Sequence, residues 1–540
     1  MTGKWPARLD NIFGNGRAGS LPEGRLGAAQ EKDRPWAELT PPRSNGMLYL
    51  AEVTIAEALK PHGYATASIG KWHLGREAEY PEYQGFDPNI GGFKEGAAAS
   101  HYSPYGIPTM ENGAEGEYLA DRLTAEAETF IEAHHSQPFF LYLSHYGVHT
   151  PIEGKQEYVE YFRAKVSAES GQQNPEYAAM VKSVDDSVGR IVAKLDDLSI
   201  ADNTVVFLMS DNGGLLNTPQ DEKITSNAPL RGGKAMLYEG GIREPLIVVW
   251  PGAATPGTVC DTPVSSIDFY PTILDMAGLP DVEGHESDGI SVVPALEGKA
   301  LSRDTLYWHF PRYVTLFPGY FVSPCAAIRK GDWKLIAFFE GGVELYDLAA
   351  DLGETQNLAE VHPELAHKLE AELEAWLERV NAQLPAPNPD YDPAFARPQA
   401  LDEFNPLGHE LLRAWTFSQS TQGWTAVQDC SLVGKGGFLQ VNAHGAKPRI
   451  EAPVSAPAGV FTVQVRLRCD AEMAARMYWR TEAGKGYHPS RSVYFRRCRG
   501  DGIWRTYAVR FTTATPLAGL RVELSQEEGS AAFAWMRVYR

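Results

Sequence analysis

Short apolar runs alternate with helical segments over the first 300 residues, and this alternation constrains the fold. Segments 118–135 and 177–195 repeat apolar residues at the spacing of one helix face. Four other runs are strand-sized and rich in apolar, β-branched or aromatic residues: 65–69, 139–143, 205–209 and 246–250. Continuous apolar strands separated by helices favour an α/β fold, in which helices cover both faces of a mostly parallel sheet.

The sequence pattern after residue 300 predicts two further regions, each with a different secondary structure. Short alternating strands followed by one amphipathic helix predict a small antiparallel α+β subdomain, and five prolines within 385–398 are typical of a linker. Further strands, spaced by turn residues, predict an all-β sandwich. We therefore predict an α/β core at 1–300, the subdomain at 301–384, a linker at 385–408 and the sandwich at 409–540.

The net charge of −20 is unevenly distributed. Residues 409–540 contain 15 Arg and 3 Lys against 10 Asp and Glu, a net of +8, which leaves −28 for the rest of the chain. This Arg-rich region indicates either an incidental solvated surface or a docking site for a polyanion, because guanidinium groups match sulfate oxygens well. We expect no nucleic-acid partner.

Targeting signals and cysteines add little. No apolar run is long enough to span a membrane, and no export signal is visible after Met1. The five cysteines form neither a C-x-x-C pair nor a zinc-like cluster, so we expect mainly buried thiols. One disulfide within the C-terminal region remains open.

Polar clusters follow the predicted strands, and open α/β sheets bind ligands at the carboxyl ends of their strands. Lys71 and His73 are two residues apart, so in extended backbone both point the same way and suit an anionic ester. A strand end with one polar face explains the same pattern. Of His145 and His149, we favour His149 for the site because Pro151 makes a rigid turn behind it, although a lone histidine is more often structural.

The two later clusters combine ligand-type side chains with glycines. Asp211 and Asn212 precede two glycines and offer oxygen ligands for a hard cation, although Asp-Asn-Gly is also a common turn. Lys234 follows Arg-Gly-Gly and offers a point charge for an anion. The glycines would let the backbone come close to that anion. A flexible surface loop is the alternative for this fourth cluster.

The order and spacing of these motifs resemble the type I sulfatases of the alkaline phosphatase superfamily. The motifs are G-K-W-H-L-G, V-H-T-P, S-D-N-G-G, and R-G-G-K followed by E-G-G-I-R-x-P. Residues 328–357 resemble that family's C-terminal subdomain, so the resemblance covers roughly 1–384. It implies an alkaline-phosphatase-like fold, sulfuric ester hydrolysis and a periplasmic or secreted location.

The resemblance also implies residue roles. Lys71 and His73 would contact the nucleophile and its sulfate adduct, and Lys234 would hold sulfate oxygens. His149, or a neighbour, would protonate the leaving alcohol. The remaining roles are two calcium ligands, Asp211 and Asn212, and one residue lining the substrate pocket, His309.

The sequence departs from the family at its start. Sulfatases of this type carry two consecutive aspartates on the first strand, then C-x-P-S-R or a serine version, whose first residue is oxidised to formylglycine. Segment 1–9 resembles the stretch just downstream, and none of the five cysteines has the required Pro and Arg behind it. We therefore expect an N-terminally truncated chain that lacks the first strand, the formylglycine nucleophile and a complete calcium site, and so lacks activity.

Two other functions stay open. One is a phosphonate monoester or phosphodiester hydrolase of the same superfamily, and the other is a non-catalytic, sulfatase-like glycan-binding protein. The sandwich at 409–540 resembles the jelly-roll domains appended to secreted carbohydrate-active enzymes. This likeness makes a sulfated glycan the expected substrate.

Overall fold

A computed structural model describes most of the chain. It covers residues 1–9, 37–44, 46–167, 171–217, 223–317, 320–391 and 411–539, the last range without 416, 418–420, 436–437, 445–446, 470–472, 485, 489, 499–504 and 526–528. Most of the predicted linker, from 392 to 408, lies outside the described residues. Within them, no helix is long and apolar enough to cross a membrane.

Helices and strands alternate in the first part of the chain, as predicted. The elements are β1 (Leu39–Thr40), α1 (Ile55–Leu59), β2 (Ala65–Gly70), β3 (Asn89–Ile90), α2 (Leu119–His134), β4 (Phe139–Ser144), α3 (Gln156–Arg163), α4 (Pro175–Asp197), β5 (Val206–Met209), α5 (Glu239–Ile242), β6 (Leu246–Val249), α6 (Phe269–Met276) and α7 (Val293–Leu296). Short 3-10 turns lie at Pro6–Leu9, Lys60–His62, Glu77–Glu79, Pro81–Tyr83, Ala201–Asn203 and Ser266–Asp268.

The three strands β3, β2 and β4 form a parallel sheet in that order. β2 lies in the centre, and its Ala67 and Ile69 are fully buried. The apolar face of α2, which includes Leu123 and Phe130, packs into the same core cluster. At the start of α4, Asn174 accepts a hydrogen bond from the Tyr177 amide, which is a standard N-cap. This part of the α/β prediction is confirmed.

The pairing of β5 and β6 corrects the prediction of parallel strands covered on both faces. These two strands pair antiparallel with each other, in a two-stranded sheet of their own. Ile247 is 57 % exposed and Val249 51 % exposed, while Leu246 and Val248 are half-buried. One face of β6 is therefore uncovered by the described residues, although its sequence is continuously apolar.

An antiparallel subdomain follows, as predicted. Its elements are β7 (Thr305–Phe310), β8 (Val314–Phe317), β9 (Tyr320–Val322), β10 (Cys325–Lys330), β11 (Trp333–Phe338), β12 (Val343–Asp347) and α8 (Pro363–Arg379). The main sheet has the order β12-β11-β10-β7, and β8 pairs with β9. Trp376 of α8 stacks on Tyr307 with ring centroids 4.7 Å apart, and Trp5 contacts both rings edge-on. The start of the chain thus packs into the core of this subdomain.

The predicted linker begins with an ordered segment. Ala386–Pro387 forms β13, which pairs antiparallel with β1. The side-chain amide of Asn388 also donates to the Ala37 carbonyl oxygen at 2.8 Å. The extended, proline-containing backbone here has a strand partner, so these residues are tied to segment 37–40.

The C-terminal region is an antiparallel sandwich. Its strands are β14 (Leu411–Trp415), β15 (Thr425–Gln428), β16 (Cys430–Lys435), β17 (Phe438–Ala443), β18 (Arg449–Ala456), β19 (Gly459–Cys469), β20 (Met473–Thr481), β21 (Ser492–Cys498), β22 (Arg505–Thr513), β23 (Leu517–Ser525) and β24 (Gly529–Tyr539). One sheet has the order β16-β17-β24-β19-β22, with β14 also on β24, and the other has β15-β18-β23-β20-β21. Side chains of both sheets share one buried cluster. Cys430 and Cys469 are free thiols, so neither forms the disulfide left open above.

Mutations can test the difference in burial between β2 and β6 through the free energy of unfolding. We expect Ile69→Ala to lower the free energy of unfolding of the core by about 2–5 kcal/mol, because it leaves a cavity in a packed site. Ile247→Ala should change it by only about 0.5 kcal/mol, because the side chain is mostly in solvent. Urea unfolding followed by tryptophan fluorescence checks both values. Equal losses would mean that β6 is covered in solution.

Candidate active site

A close backbone contact positions Lys71 at the end of β2. Gly70 has φ 108°, and a Cβ there would lie 1.9 Å from the carbonyl oxygen of Ser144, so only glycine fits. The Lys71 amide donates to that oxygen at 2.7 Å, and the Ser144 hydroxyl donates to the Lys71 carbonyl oxygen at 2.6 Å. The ends of β2 and β4 thereby fix the start of the Lys71 side chain.

A second glycine contact positions Asp211 and Asn212 after β5. A Cβ on Gly213 would lie 1.8 Å from the carbonyl oxygen of Gly240, and the Gly213 amide donates to the Gly241 carbonyl oxygen at 3.1 Å. The loop that carries Lys234 lies next to this turn, because the Lys234 amide donates to the Gly214 carbonyl oxygen at 3.2 Å. The third and fourth sequence clusters are therefore neighbours.

Four predicted residues, one from each cluster, come together. Lys71 Nζ lies 4.0 Å from Asp211 Oδ2. Burial and the charge of Lys71 lower the pKa of Lys234 to about 8. Burial and the charge of Lys234 lower the pKa of His149 to about 4, with Lys71 adding to the effect. We call Lys71, His149, Asp211 and Lys234 the charged cluster.

The ring of His149 has a defined orientation. Its Nδ1 lies 3.0 Å from the Thr150 carbonyl oxygen and 3.3 Å from the Thr150 hydroxyl, and the shorter contact, to an oxygen that can only accept, favours the proton on Nδ1. Nε2 is then the basic nitrogen of the neutral ring. The His149 carbonyl oxygen lies 3.0 Å from Nε2 of the buried His101, which anchors the backbone. The arrangement leaves His149 one nitrogen for proton transfer.

His145 occupies a different environment. Its ring is buried, and Nε2 lies 2.9 Å from the Ser187 hydroxyl of α4, which also accepts from Thr124 of α2. Burial lowers the pKa of His145 to about 4. These contacts join the sheet to two helices, which is a structural role and agrees with the preference for His149.

The extended geometry predicted for Lys71 and His73 is wrong. β2 ends at Gly70, and His73 has φ 59°, in the left-handed region. Its ring lies against Gly96, where a Cβ would be 2.5 Å from Cε1 and Nδ1. Trp72 is buried, as predicted. The alternation of an extended strand therefore does not apply to Lys71 and His73, and the role of His73 stays a prediction.

His309 lies on β7, in the C-terminal subdomain. Its Nε2 is 2.9 Å from the Gln383 carbonyl oxygen, its ring meets Phe339 edge-on, and burial lowers its pKa. Nδ1 is buried without a hydrogen-bond partner in the described part of the chain. These contacts do not include the charged cluster, and the substrate-binding role of His309 stays a prediction.

Glu244 and Tyr177 belong near the charged cluster and were missed from the sequence. Burial and the charge of Asp211 raise the pKa of Glu244 to about 7, and its Oε1 is buried with no described partner. Burial and the charges of Glu244 and Asp211 raise the pKa of Tyr177. Glu244 stands inside the E-G-G-I-R-x-P motif, but only the folded chain reveals its burial.

The described residues do not complete a calcium site. Asp211, Asn212 and Glu244 supply oxygens of the right type, but calcium prefers six to eight. The described residues contain no group of three or more His, Cys, Asp or Glu side chains that could hold a metal ion. Asp211 also lies beside Lys71, and the Asn212 amide nitrogen donates to the Gly213 carbonyl oxygen at 3.0 Å.

Comparison with known proteins gives consistent matches. A family model described as Sulfatase matches residues 33–279, and one described as N-sulphoglucosamine sulphohydrolase, C-terminal, matches 233–383. A sulfatase of Formosa agariphila is 33% identical over 416 residues, covering 64% of this chain and 73% of the relative. The N-acetylgalactosamine-6-sulfatase of Homo sapiens is 32% identical over 296 residues, 50% of this chain and 53% of the relative.

Solved structures agree with these matches. The crystal structure of Ps i-CgsB is 28% identical, with a TM-score of 0.56, and the match covers 70% of this chain and 80% of that one. The same values hold for its complex with k-i-k-neocarrahexaose. This chain thus spans most of two relatives, but only about half the length of the human enzyme.

Proposed function

This chain belongs to the sulfatase family, the type I sulfatases of the alkaline phosphatase superfamily, and from that premise we propose that its charged cluster binds the sulfate group of a glycan sulfate ester. One observation carries the proposal. Burial lowers the pKa of both Lys71 and Lys234, and the positive charge of Lys71 lowers the pKa of Lys234 further. An anion bound between them would relieve both the repulsion and the desolvation.

Each residue has a distinct part in this proposal. Lys71 and Lys234 hold sulfate oxygens and stabilise charge that develops on them. His149 is neutral near pH 7 because its pKa is about 4, and a bound anion would raise that pKa. In a sulfatase that has its nucleophile, the ring would then take up a proton from solvent at Nε2 and deliver it to the leaving alkoxide oxygen. In such an enzyme His73 would contact the nucleophile, and His309 would line the substrate pocket.

We propose that the sulfate is carried by a glycan, because the names of two related proteins refer to sugars. One is named N-acetylgalactosamine-6-sulfatase, and another is solved in complex with k-i-k-neocarrahexaose. A phosphonate or phosphate ester would carry a similar anionic group, so the choice needs a direct test. A periplasmic or secreted location goes with the family and stays a proposal.

Sulfate binding should depend on the charge of Lys234. Since the pKa of Lys234 is about 8, its charge is present below that pH and is lost above it. We expect affinity for inorganic sulfate, measured by calorimetry, to fall about 10-fold between about pH 7 and about pH 9.5. Lys234→Arg should keep the affinity at the higher pH, because Arg stays charged.

Lys60→Arg is the matched control for that substitution, because Lys60 is exposed and pairs with Asp87 away from the charged cluster. It should leave the pH dependence unchanged. A flat pH profile in the unmodified chain, or the same profile in Lys234→Arg, would contradict the assignment of Lys234.

We further propose that these 540 residues bind a sulfate ester without hydrolysing it. No cysteine in the sequence is followed by the Pro and Arg of the nucleophile motif, and the described oxygens do not close a calcium site. The purified chain should show no turnover of para-nitrophenyl sulfate, phosphate or phenylphosphonate, with or without calcium. Turnover of the sulfate would overturn this proposal, and turnover of a phosphorus ester would favour the alternative hydrolase.

The sandwich offers a second surface for a sulfated glycan. In β20, Ala475, Met477 and Trp479 face the core, so the alternate residues Arg476 and Arg480 lie on the outer face. The guanidinium of Arg476 lies 4.9 Å from the ring of Tyr478. On β23, Arg521 lies 4.2 Å from the ring of Tyr487.

The charges on this outer face favour an anionic partner. The described side chains include four arginines against two glutamates: Arg449, Arg476, Arg480 and Arg521, with Glu451 and Glu523. Stacking on tyrosine rings limits the freedom of the guanidinium groups, which lowers the entropy lost on binding. We propose that this arginine–tyrosine face docks a sulfated polysaccharide.

Binding of the full chain to dextran sulfate, with dextran as the uncharged probe, tests this docking. The double variant Arg476→Ser with Arg480→Ser should bind dextran sulfate about 10-fold more weakly, because two charge-assisted contacts to sulfate groups are lost. The control removes two exposed charges elsewhere, Arg163→Ser with Lys368→Ser, and should bind as before. Equal affinity of both double variants, or equal binding of dextran, would refute the docking surface.

A further inference from the structure

Lys334 of β11 lies at the centre of a buried ion network. Its side chain is 0 % exposed, and Nζ lies 2.9 Å from Glu239 Oε1 and 2.8 Å from Glu354 Oε1. Both carboxylates are also buried. Glu239 has two further cations 3.6 Å away, Arg243 and Arg329. We call Lys334, Glu239 and Glu354 the Lys334 network.

The network joins the C-terminal subdomain to the α/β core. Glu239 is the first residue of α5, and its amide donates to Glu354 Oε2 at 2.6 Å. Glu354 has φ 52°, a conformation that non-glycine residues rarely adopt, so its contacts hold it there. The Glu354 carbonyl oxygen accepts from Arg231 Nη1 at 2.9 Å. Glu354 therefore forms hydrogen bonds with both ends of the 231–239 loop, which contains Lys234.

The same helix contacts the residues beneath the charged cluster. The Gly240 amide donates to the Arg231 carbonyl oxygen at 2.7 Å, and a Cβ on Gly240 would lie 2.4 Å from the Gly232 carbonyl oxygen. On its other side, Gly240 presses its own carbonyl oxygen against Gly213. Any shift of Glu239 would therefore move the loop of Lys234 and the turn of Asp211 together.

A buried ion pair is a poor general stabiliser, because desolvation of the charges offsets most of their attraction. Its clearer effect is geometric, since the charges must meet at one distance and orientation. We propose that Lys334, Glu239 and Glu354 are positioning residues that hold Lys234 and the Asp211–Asn212 turn at the spacing needed to bind a sulfate group. This inference rests on the proposed function and extends it to three residues that do not contact the anion.

Lys334→Met tests the proposal in the full chain, with inorganic sulfate as the probe. The substitution removes the central charge and keeps an apolar stem of similar length. We expect sulfate affinity, measured by calorimetry, to fall at least about 10-fold. The amides of Gly213, Lys234 and Gly240 should also exchange with deuterium faster, because their hydrogen bonds are made across the displaced contact.

A matched control separates positioning from general stability. Arg303→Met breaks another buried ion pair, in which Arg303 Nη2 lies 2.6 Å from Oδ2 of the fully buried Asp268. It should lower the melting temperature to a comparable degree but leave sulfate affinity within about 2-fold. If both variants lose affinity equally, or Lys334→Met loses none, the positioning role is overturned.

Two further outcomes keep the test decisive. Where Lys334→Met does not fold, Glu354→Gln serves instead, since it keeps the shape and removes one charge, and it should show a smaller loss of affinity. If the unmodified chain binds no sulfate, the proposed function fails, and hydrogen exchange alone decides the positioning role. Unchanged exchange at residues 211–214 and 231–241 in Lys334→Met would then overturn it.

Discussion

The end of β2 lies against the end of β4, and the turn after β5 lies against α5. In both places the backbones are so close that an added Cβ atom would collide with a carbonyl oxygen. The two contacts, Gly70 against Ser144 and Gly213 against Gly240, have no room for even an alanine. Such contacts act before any side-chain chemistry, because they determine where the following residues leave the sheet. Lys71 directly follows the first contact, and Asp211 lies two residues before the second. The two backbone contacts therefore fix where these charged side chains leave the main chain.

The electrostatics of the site follow from this backbone geometry. Lys71 and Lys234 are brought together in a place that solvent reaches poorly, and burial is the main reason that the pKa of each ammonium is lowered. Asp211 compensates only in part, since its carboxylate is largely exposed and lies 4.0 Å from Lys71 Nζ. Under the proposed function, an anion bound between these cations would offset the cost of burying them. The energetic cost of assembling such a site is met during folding, not during binding.

Much of this arrangement could be predicted from the sequence. The apolar periodicity of α2 and α4 and the apolar runs of β2 and β4 identified those elements, and the position of Lys71, His149, Asp211 and Lys234 after strands predicted their convergence. A pattern of apolar residues does not encode strand direction, however, so the antiparallel pairing of β5 with β6 was missed. It also could not reveal the left-handed backbone at His73, which interrupts the alternation of side chains.

Residues whose role depends on distant contacts were the hardest to find. Glu244 and Lys334 are charged residues without a distinctive local pattern, and only tertiary packing shows that the Oε1 atom of Glu244 and the side chain of Lys334 are buried. The described side-chain contacts of His309 are a carbonyl oxygen and a phenyl ring of its own subdomain, and its role in substrate binding stays a prediction. Local sequence therefore located the charged cluster but not the groups that surround and support it.

The uncovered face of β6 has a consequence for the behaviour of the protein in solution. In the described part of the chain, Ile247 and Val249 present apolar side chains to water on a short two-stranded sheet. Surfaces of this kind associate with one another, and the attraction strengthens on warming and in salts that are excluded from protein surfaces. Self-association at high protein concentration would then involve this small patch, independently of the folding stability of the rest of the molecule. Mild cooling and chaotropic rather than kosmotropic salts are the conditions under which the chain would stay dispersed.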